Sequence, residues 1–309
     1  QDQLREYRTM SERHLSEKST VLLVVCLSAF SMPVMLSATN VAIPIVANQF
    51  SLSATQIAWI PMSYLMASVM FVLIFGSLAD VFGKKKIFLV GILVLCFSSI
   101  FVAFANSGTV LMLGRFLQGV GAAMLYATQT ALVSSVYPAK ERGKAIGITL
   151  SAVYLGLAVG PSLGGIIMEY LSWRLNFVLH LPLALIILVL LHKVPNDSES
   201  RLLEEFKFDK TGASLYMASI VLLCFGVSSL PNSNSLVLLS LFLITVALFV
   251  SHSLKHSFPI WNLRIFRNNK MLTKSCLASY MMYSATYSNV VILSLYLQDL
   301  KQLSASQAG

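Results

Sequence analysis

Nine long apolar runs separated by polar loops constrain this chain more than any other feature. They are Thr20–Ile43, Ile57–Ala79, Ile87–Ala105, Val110–Val136, Ala145–Met168, Asn176–Leu191, Thr211–Leu230, Leu236–Ser253 and Met271–Leu297. A helix needs about 20 mostly apolar residues to cross the hydrocarbon core of a bilayer. The sixth run is short, and the ninth is polar in its middle, with Ser284, Thr286, Ser288 and Asn289. The chain is 56% hydrophobic and 11% charged, whereas a soluble domain carries about 25% charged residues. A soluble core of this size could not cover so much apolar surface. The reading is an all-α, polytopic membrane protein whose first partner is the lipid bilayer.

The net charge of +9 does not indicate nucleic acid, because the charges sit in clusters between apolar runs. Of the 22 basic residues, all but Arg115, Arg174 and Lys301 fall in the N-terminal tail or near the loops after spans 2, 4, 6 and 8. An excess of Lys and Arg marks the cytoplasmic side, so the N-terminus is expected in the cytoplasm. The first run is no cleavable signal: it outlasts an h-region of about 7–15 residues, and no small-residue cleavage site follows. The polar segment before Met10 stays outside the fold reading.

Cys26, Cys96, Cys224 and Cys276 each lie within an apolar run, without ligand spacing. They read as packing residues. The five histidines form no cluster in sequence. No metal site, cofactor or catalytic residue is expected. A membrane-embedded enzyme would need clustered His, Asp or Glu within the spans, and a sensor would need a sizeable soluble domain; neither pattern is present.

Three segments carry chemistry. In Gly76-Ser77-Leu78-Ala79-Asp80-Val81-Phe82-Gly83-Lys84-Lys85-Lys86, Gly76 permits close helix contact and Gly83 a tight turn. A buried Asp80 needs a cationic or helix-N-terminal partner, and Arg142 in the next basic loop is the nearest candidate. The bland alternative is a generic basic loop. In Arg115-Phe116-Leu117-Gln118-Gly119-Val120-Gly121, Arg115 and Gln118 share a helical face. Arg115 either faces a cavity or snorkels to the interface. In span 5, Ala152, Gly156, Gly160 and Gly164 form a small-residue face that permits close backbone approach, and Pro161 can bend the helix. A plain packing seam is the alternative there.

These segments, in this order, resemble the signatures of the major facilitator superfamily: G-x-L-A-D-R-x-G-R-K, R-x-x-Q-G-x-G-A and the antiporter-associated G-x-x-x-G-P-x-x-G-G. Ser37–Pro44, Trp173–Phe177 with Pro182, and Phe208–Gly212 are similar to the fourteen-span drug:proton antiporters. The resemblance implies a complete N-terminal six-helix bundle and about three further helices. Its parts are a cytoplasmic tail (1–19), the bundle (20–192), a cytoplasmic linker (193–210) and an inserted helix pair (211–255). The last part (256–309) is a loop and the first helix of an incomplete C-terminal bundle, with the turn into span 10 at its end.

The resemblance also implies a transporter of a prokaryotic cytoplasmic membrane, exporting hydrophobic or cationic small molecules in exchange for protons. A uniporter, or a carrier of another solute or of lipid, is the alternative. It points to Asn40, Tyr64, Arg115, Gln118, Tyr126 and Gln129 as cavity residues. Gly76, Asp80, Gly83, Lys84, Lys85, Arg142, Gly156, Gly160, Pro161 and Gly164 are then the gating and structural set. Two departures stand out. Met35 replaces the embedded Asp frequent in span 1, and His180 replaces the usual Asn of span 6. No acidic residue lies deep in any span, so His180, near the outer end of span 6, and the edge carboxylates Asp80, Glu169 and Asp299 are the titratable groups on offer for coupling.

The expected topology is testable by cysteine labelling. An impermeant maleimide added outside intact cells should reach a cysteine at position 107 and miss cysteines at 85 and 141. Labelling of position 85 from outside would overturn the orientation.

Overall fold

A computed structural model of the chain describes residues 2–195, 208–296 and 301. The N-terminal part contains α1 (Asp2–Gln49), α2 (Ala54–Phe82), α3 (Lys84–Ala103), α4 (Gly108–Val136), α5 (Ala139–Tyr170), α6 (Trp173–Val178) and α7 (Leu181–Leu191). It is followed by α8 (Lys210–Ser228), α9 (Ser233–Lys255), α10 (Arg264–Asn268) and α11 (Lys270–Leu295). Among the described residues, eight helical segments are long and apolar enough to cross a membrane. They coincide with the first eight apolar runs. The ninth run is helical as α11 but is not among the eight, in keeping with its polar middle.

Two boundaries differ from expectation. The tail is helical and continuous with span 1, since α1 runs from Asp2 to Gln49, while the segment apolar enough to cross a membrane begins at Ser16. Residues 2–19 are rich in Glu, Arg, Leu, Lys and Gln, all good helix formers. The sixth span begins at Trp173 rather than Asn176 and breaks at Leu179–His180 before resuming as α7. Pro182, in the first turn of α7, lacks the N–H that an uninterrupted helix would use there.

The chain divides into two compact units, Gln1–Phe206 and Lys207–Gly309. Linker residues 196–207, and all of the expected turn into span 10 except Tyr296 and Lys301, lie outside the described residues.

In the first unit α1 packs on α5, while α4 packs on both α2 and α3. Glycines set both contacts. A Cβ on Gly164 would lie 2.7 Å from Cα of Ala38, and one on Gly160 would lie 3.0 Å from the Val34 carbonyl oxygen. At Gly156 the added carbon would meet the carbonyl of Phe30. This face therefore brings the backbones of α5 and α1 into contact, the close approach that drives helix association in lipid. On α4, Gly119 faces Ala67 of α2, where a Cβ would sit 2.8 Å from the Ala67 Cβ. Gly121, two residues on and so nearly opposite, faces Leu95 of α3 at 2.9 Å.

The loop glycine behaves as expected. Gly83 has φ 98°, the left-handed side of the map, and turns α2 into α3. Lys85 reaches from the start of α3 to donate to the Val194 carbonyl beyond α7, at 2.6 Å. Other expectations for this motif fail among the described residues. Gly76 has nothing within 4 Å of its Cβ position, so no close helix contact uses it. Asp80 is exposed, and no ion pair joins it to Arg142; Arg142 Nε donates instead to the Tyr137 carbonyl at 2.9 Å. An exposed carboxylate keeps its hydration and needs no buried partner. The bundle end is tied by Lys18, which pairs with Glu141 at 3.1 Å.

In the second unit α8 packs on α9, with Tyr216 against Phe249 at 5.7 Å between ring centroids. Asp209 caps α8: its Oδ1 accepts the Gly212 N–H at 2.8 Å, and its Oδ2 accepts the Ile260 N–H at 3.2 Å. His252 Nε2 lies 2.8 Å from the same Oδ1. Burial pushes the Asp209 carboxyl up, but these donors outweigh it and hold the group below the usual carboxylate range. Along residues 270–285 of α11 nearly every side chain is exposed.

The seam and the empty glycine make opposite predictions. Gly160→Leu should destabilise the bundle by about 1–3 kcal/mol through overpacking, whereas Gly76→Ala, inside α2 with nothing to meet, should stabilise it by up to about 1 kcal/mol. Thermal unfolding of the purified chain in detergent measures both. A Gly160→Leu protein as stable as the parent would refute the close seam.

Candidate functional site

The first unit has two apolar clusters. One gathers Val24, Met35, Phe88, Leu95, Leu125 and Ile187 with their neighbours. The other gathers Ala42, Val46, Ile60, Val102, Leu111 and Phe177. Between them, on each helix concerned, comes a polar step. On α4, Arg115 and Gln118 separate Leu111 from Ala122. On α3, Ser99 separates Leu95 from Val102. At the α6–α7 break, His180 separates Phe177 from Ala184. Arg115 lies seven residues into α4, about 10 Å from its start at 1.5 Å per residue.

Arg115, Gln118 and Ser99 are fully buried. Arg115 Nη1 donates to Gln118 Oε1 at 2.8 Å, and Gln118 Nε2 donates to Ser99 Oγ at 2.6 Å. Ser99 Oγ lies 3.4 Å from His180 Nε2. The guanidinium stands 4.6 Å from the ring centre of Tyr64 and 5.8 Å from that of Phe177, so aromatic faces supply part of its solvation. Asn176 ties α6 to two neighbours, donating to the carbonyls of Ala38 and Gly164 at 3.2 and 3.4 Å. Arg115 does not snorkel; it turns inward onto Gln118.

What this layer lacks is as informative. Among the described residues no carboxylate forms an ion pair with Arg115. Met35, which stands in place of the span 1 carboxylate, has its Sδ 3.6 Å from Gln118 Nε2. A buried charge in a membrane is costly without a partner. Three buried polar atoms have no hydrogen-bond partner among the described residues: Arg115 Nη2, Asn176 Oδ1 and His180 Nδ1. The layer therefore has hydrogen-bonding capacity beyond what the bundle itself uses.

Of the six expected cavity residues, Arg115 and Gln118 are joined directly. Tyr64 is buried against Arg115, and its hydroxyl meets that of the half-exposed Tyr126 at 3.3 Å. Gln129 is buried apart from them and donates to Ser28 Oγ at 3.1 Å. Asn40 is exposed and joins none of them. Sequence reasoning missed Ser99, because a serine in an apolar helix gives no sign of a distant partner.

Comparison with known proteins bears on this arrangement. A family model described as the Major Facilitator Superfamily matches residues 25–309. The chain belongs to the Major Facilitator Superfamily. Its relatives include the Riboflavin transporter RibZ of Clostridioides difficile, 29% identical, with 96% of this chain matching 64% of that protein. Multidrug resistance protein Stp of Mycobacterium tuberculosis is 29% identical, with 87% of this chain matching 51% of it. The Methylenomycin A resistance protein of Bacillus subtilis is 25% identical, 97% of this chain matching 65% of it. This major-facilitator chain thus spans between half and two thirds of the length of these relatives. Among solved structures, the proton:xylose symporter XylE shares its fold with a TM-score of 0.64 at 13% identity, over 93% of this chain and 64% of that one. The transporter PepTSo does so with a TM-score of 0.57 at 15% identity, over 78% and 53%. The chain is a multi-pass membrane protein of this superfamily.

Gln118 holds the layer together from both ends. Gln118→Leu should strand Arg115 Nη1, at about 1–3 kcal/mol for a group left unsatisfied, and leave Ser99 Oγ with His180 as its partner; it should lower the unfolding midpoint in detergent. Gln118→Glu supplies a carboxylate at the same distance from the guanidinium and should be far less harmful. A Leu variant as stable as the Glu variant would show that the network carries no stability.

Proposed function

We propose that this chain contributes the N-terminal half of a secondary transporter that exports hydrophobic small molecules in exchange for protons, by alternating access around a site near the bilayer midplane. The observation that carries the reading is the buried layer of Arg115, Gln118, Ser99 and His180. It places a fixed cation, a chain of hydrogen bonds and one titratable ring in the membrane-spanning core. Export is supported by the two relatives named for drug resistance. Proton exchange is supported by the antiporter-like glycine seam and by His180, which takes the coupling role that the absent span 1 carboxylate leaves open.

The charge of Arg115 refines the substrate class. An uncompensated buried cation repels a cationic guest and attracts an anionic or strongly dipolar one. Neutral and anionic hydrophobic compounds are therefore better guests than cations. The riboflavin transporter among the relatives supports a second reading, in which a flat aromatic solute is carried. An orientation with the tail and the loop of Lys84–Lys86 in the cytoplasm belongs to the same proposal.

The test is transport by the full-length protein in vesicles. With acid outside, vesicles should expel a neutral hydrophobic dye faster than vesicles at equal pH, and a protonophore should erase the difference. Riboflavin, assayed in parallel, tests the second reading. Equal rates with and without the gradient would end the antiport reading. Faster export of a cationic analogue than of its neutral counterpart would end the charge argument.

A further inference from the structure

The histidines are scattered in sequence, but the fold brings two of them to one carboxylate. His252 and His256 lie one helical turn apart at the end of α9, the i, i+4 spacing that points two imidazoles the same way. Their ring centroids are 5.0 Å apart. Asp209, which precedes α8, faces them across the α8–α9 contact. One ligand atom from each of the three residues lies within 4.8 Å of the other two. Asp209 is buried and the histidines are half-buried, so the trio is sheltered yet reachable from water.

We propose that Asp209, His252 and His256 form a binding site for a divalent transition cation of the zinc class. The donor set suits that class: the two imidazoles favour zinc and its neighbours over calcium or magnesium, and a carboxylate is an accepted third ligand of zinc. The distances suit it as well. A tetrahedral zinc with bonds of about 2.0–2.1 Å places its ligand atoms roughly 3.4 Å apart. His252 Nε2 and Asp209 Oδ1 are already 2.8 Å apart, so they open slightly while His256 swings in. The carboxylate is held for the task. Its oxygens accept the N–H groups of Gly212 and Ile260, the outer hydrogen bonding that orients carboxylate ligands in metal sites.

The exchange at each histidine balances. The Asp209 carboxylate is an acceptor, so neutral His252 donates its Nε2–H to it; on metal binding that proton moves to Nδ1 and the Nε2 lone pair goes to the cation. His256 gives up the hydrogen bond that its Nδ1 accepts from the Phe258 N–H at 3.2 Å, at an exposed turn. Three protein ligands leave a coordination position open, as in exchangeable rather than closed structural sites. The cation would staple the start of α8, the end of α9 and the following loop, whose Ile260 N–H already reaches Asp209. The site lies within the second unit and does not depend on which solute the transporter carries.

Cobalt is the probe. The purified chain, stripped with chelator and carrying no polyhistidine tag, is titrated with Co2+ and then with Zn2+. The expected result is the visible ligand-field bands of four- or five-coordinate cobalt, saturating at a single equivalent and bleached by Zn2+. His256→Ala keeps the Asp209–His252 hydrogen bond and should weaken binding at least about tenfold, the size of effect seen even for supporting residues of metal sites. His192→Ala, at the end of α7, should bind as the parent does. Zn2+ should also raise the unfolding midpoint of the parent and not that of His256→Ala, with His256→Asn as a second variant should the alanine protein fail to fold. Absence of the cobalt bands, or equal affinity in parent and His256 variants, would overturn the site.

Discussion

The buried guanidinium of Arg115 is the interaction on which the first unit depends. A permanent charge inside a bilayer cannot be neutralised by losing a proton at ordinary pH, so the surrounding helices must accommodate it. They do so with the amide of Gln118 on one side and the face of Tyr64 on the other. That requirement explains why Gln118, Ser99 and His180 collect at the level of Arg115, while Gln129 and Ser28 pair elsewhere in the core. It also explains the two separate apolar clusters, since lipid-like packing resumes only above and below the layer.

How the helices approach one another follows from residues without side chains. Gly119 and Gly121 let α4 touch α2 and α3 on opposite sides, and this close packing excludes lipid from the level of Arg115. The break between α6 and α7 brings His180 to Ser99, with Pro182 set into the first turn of the resumed helix. A continuous helix there would turn later residues through a different face. The layer thus depends as much on backbone interruptions as on its polar groups.

Much of this was legible in the sequence, for physical reasons. Apolar length and charge placement report directly on the bilayer, so spans 1 to 8 emerge from composition alone. Arg115 and Gln118 were visible because a basic residue inside an apolar run demands an explanation. Gly83 was visible because a tight turn between two spans favours a residue tolerant of positive φ. Other features were not. Ser99 is indistinguishable from any serine on an apolar helix until its partner 19 positions away is known. Asp209 and His252, 43 positions apart, meet only through the α8–α9 pairing. Gly76 and Asp80 fit a sequence pattern, but a pattern names residue types and not the surfaces they face; among the described residues nothing packs on the Cβ position of the first, and the second is exposed.

The seam between α1 and α5 has a consequence for how such a protein changes over time. Its contacts run from glycine on α5 to backbone atoms of Phe30, Val34 and Ala38 and to the small side chains of Ser37 and Ala38 on α1. The partner surface is thus made largely of main chain, which every amino acid carries. Residues on the remaining faces of α1 can then be exchanged without altering how the two helices meet. Solute preference can drift through many variants while the mechanical joint stays the same, provided the three glycines and the small residues Ser37 and Ala38 that face them remain.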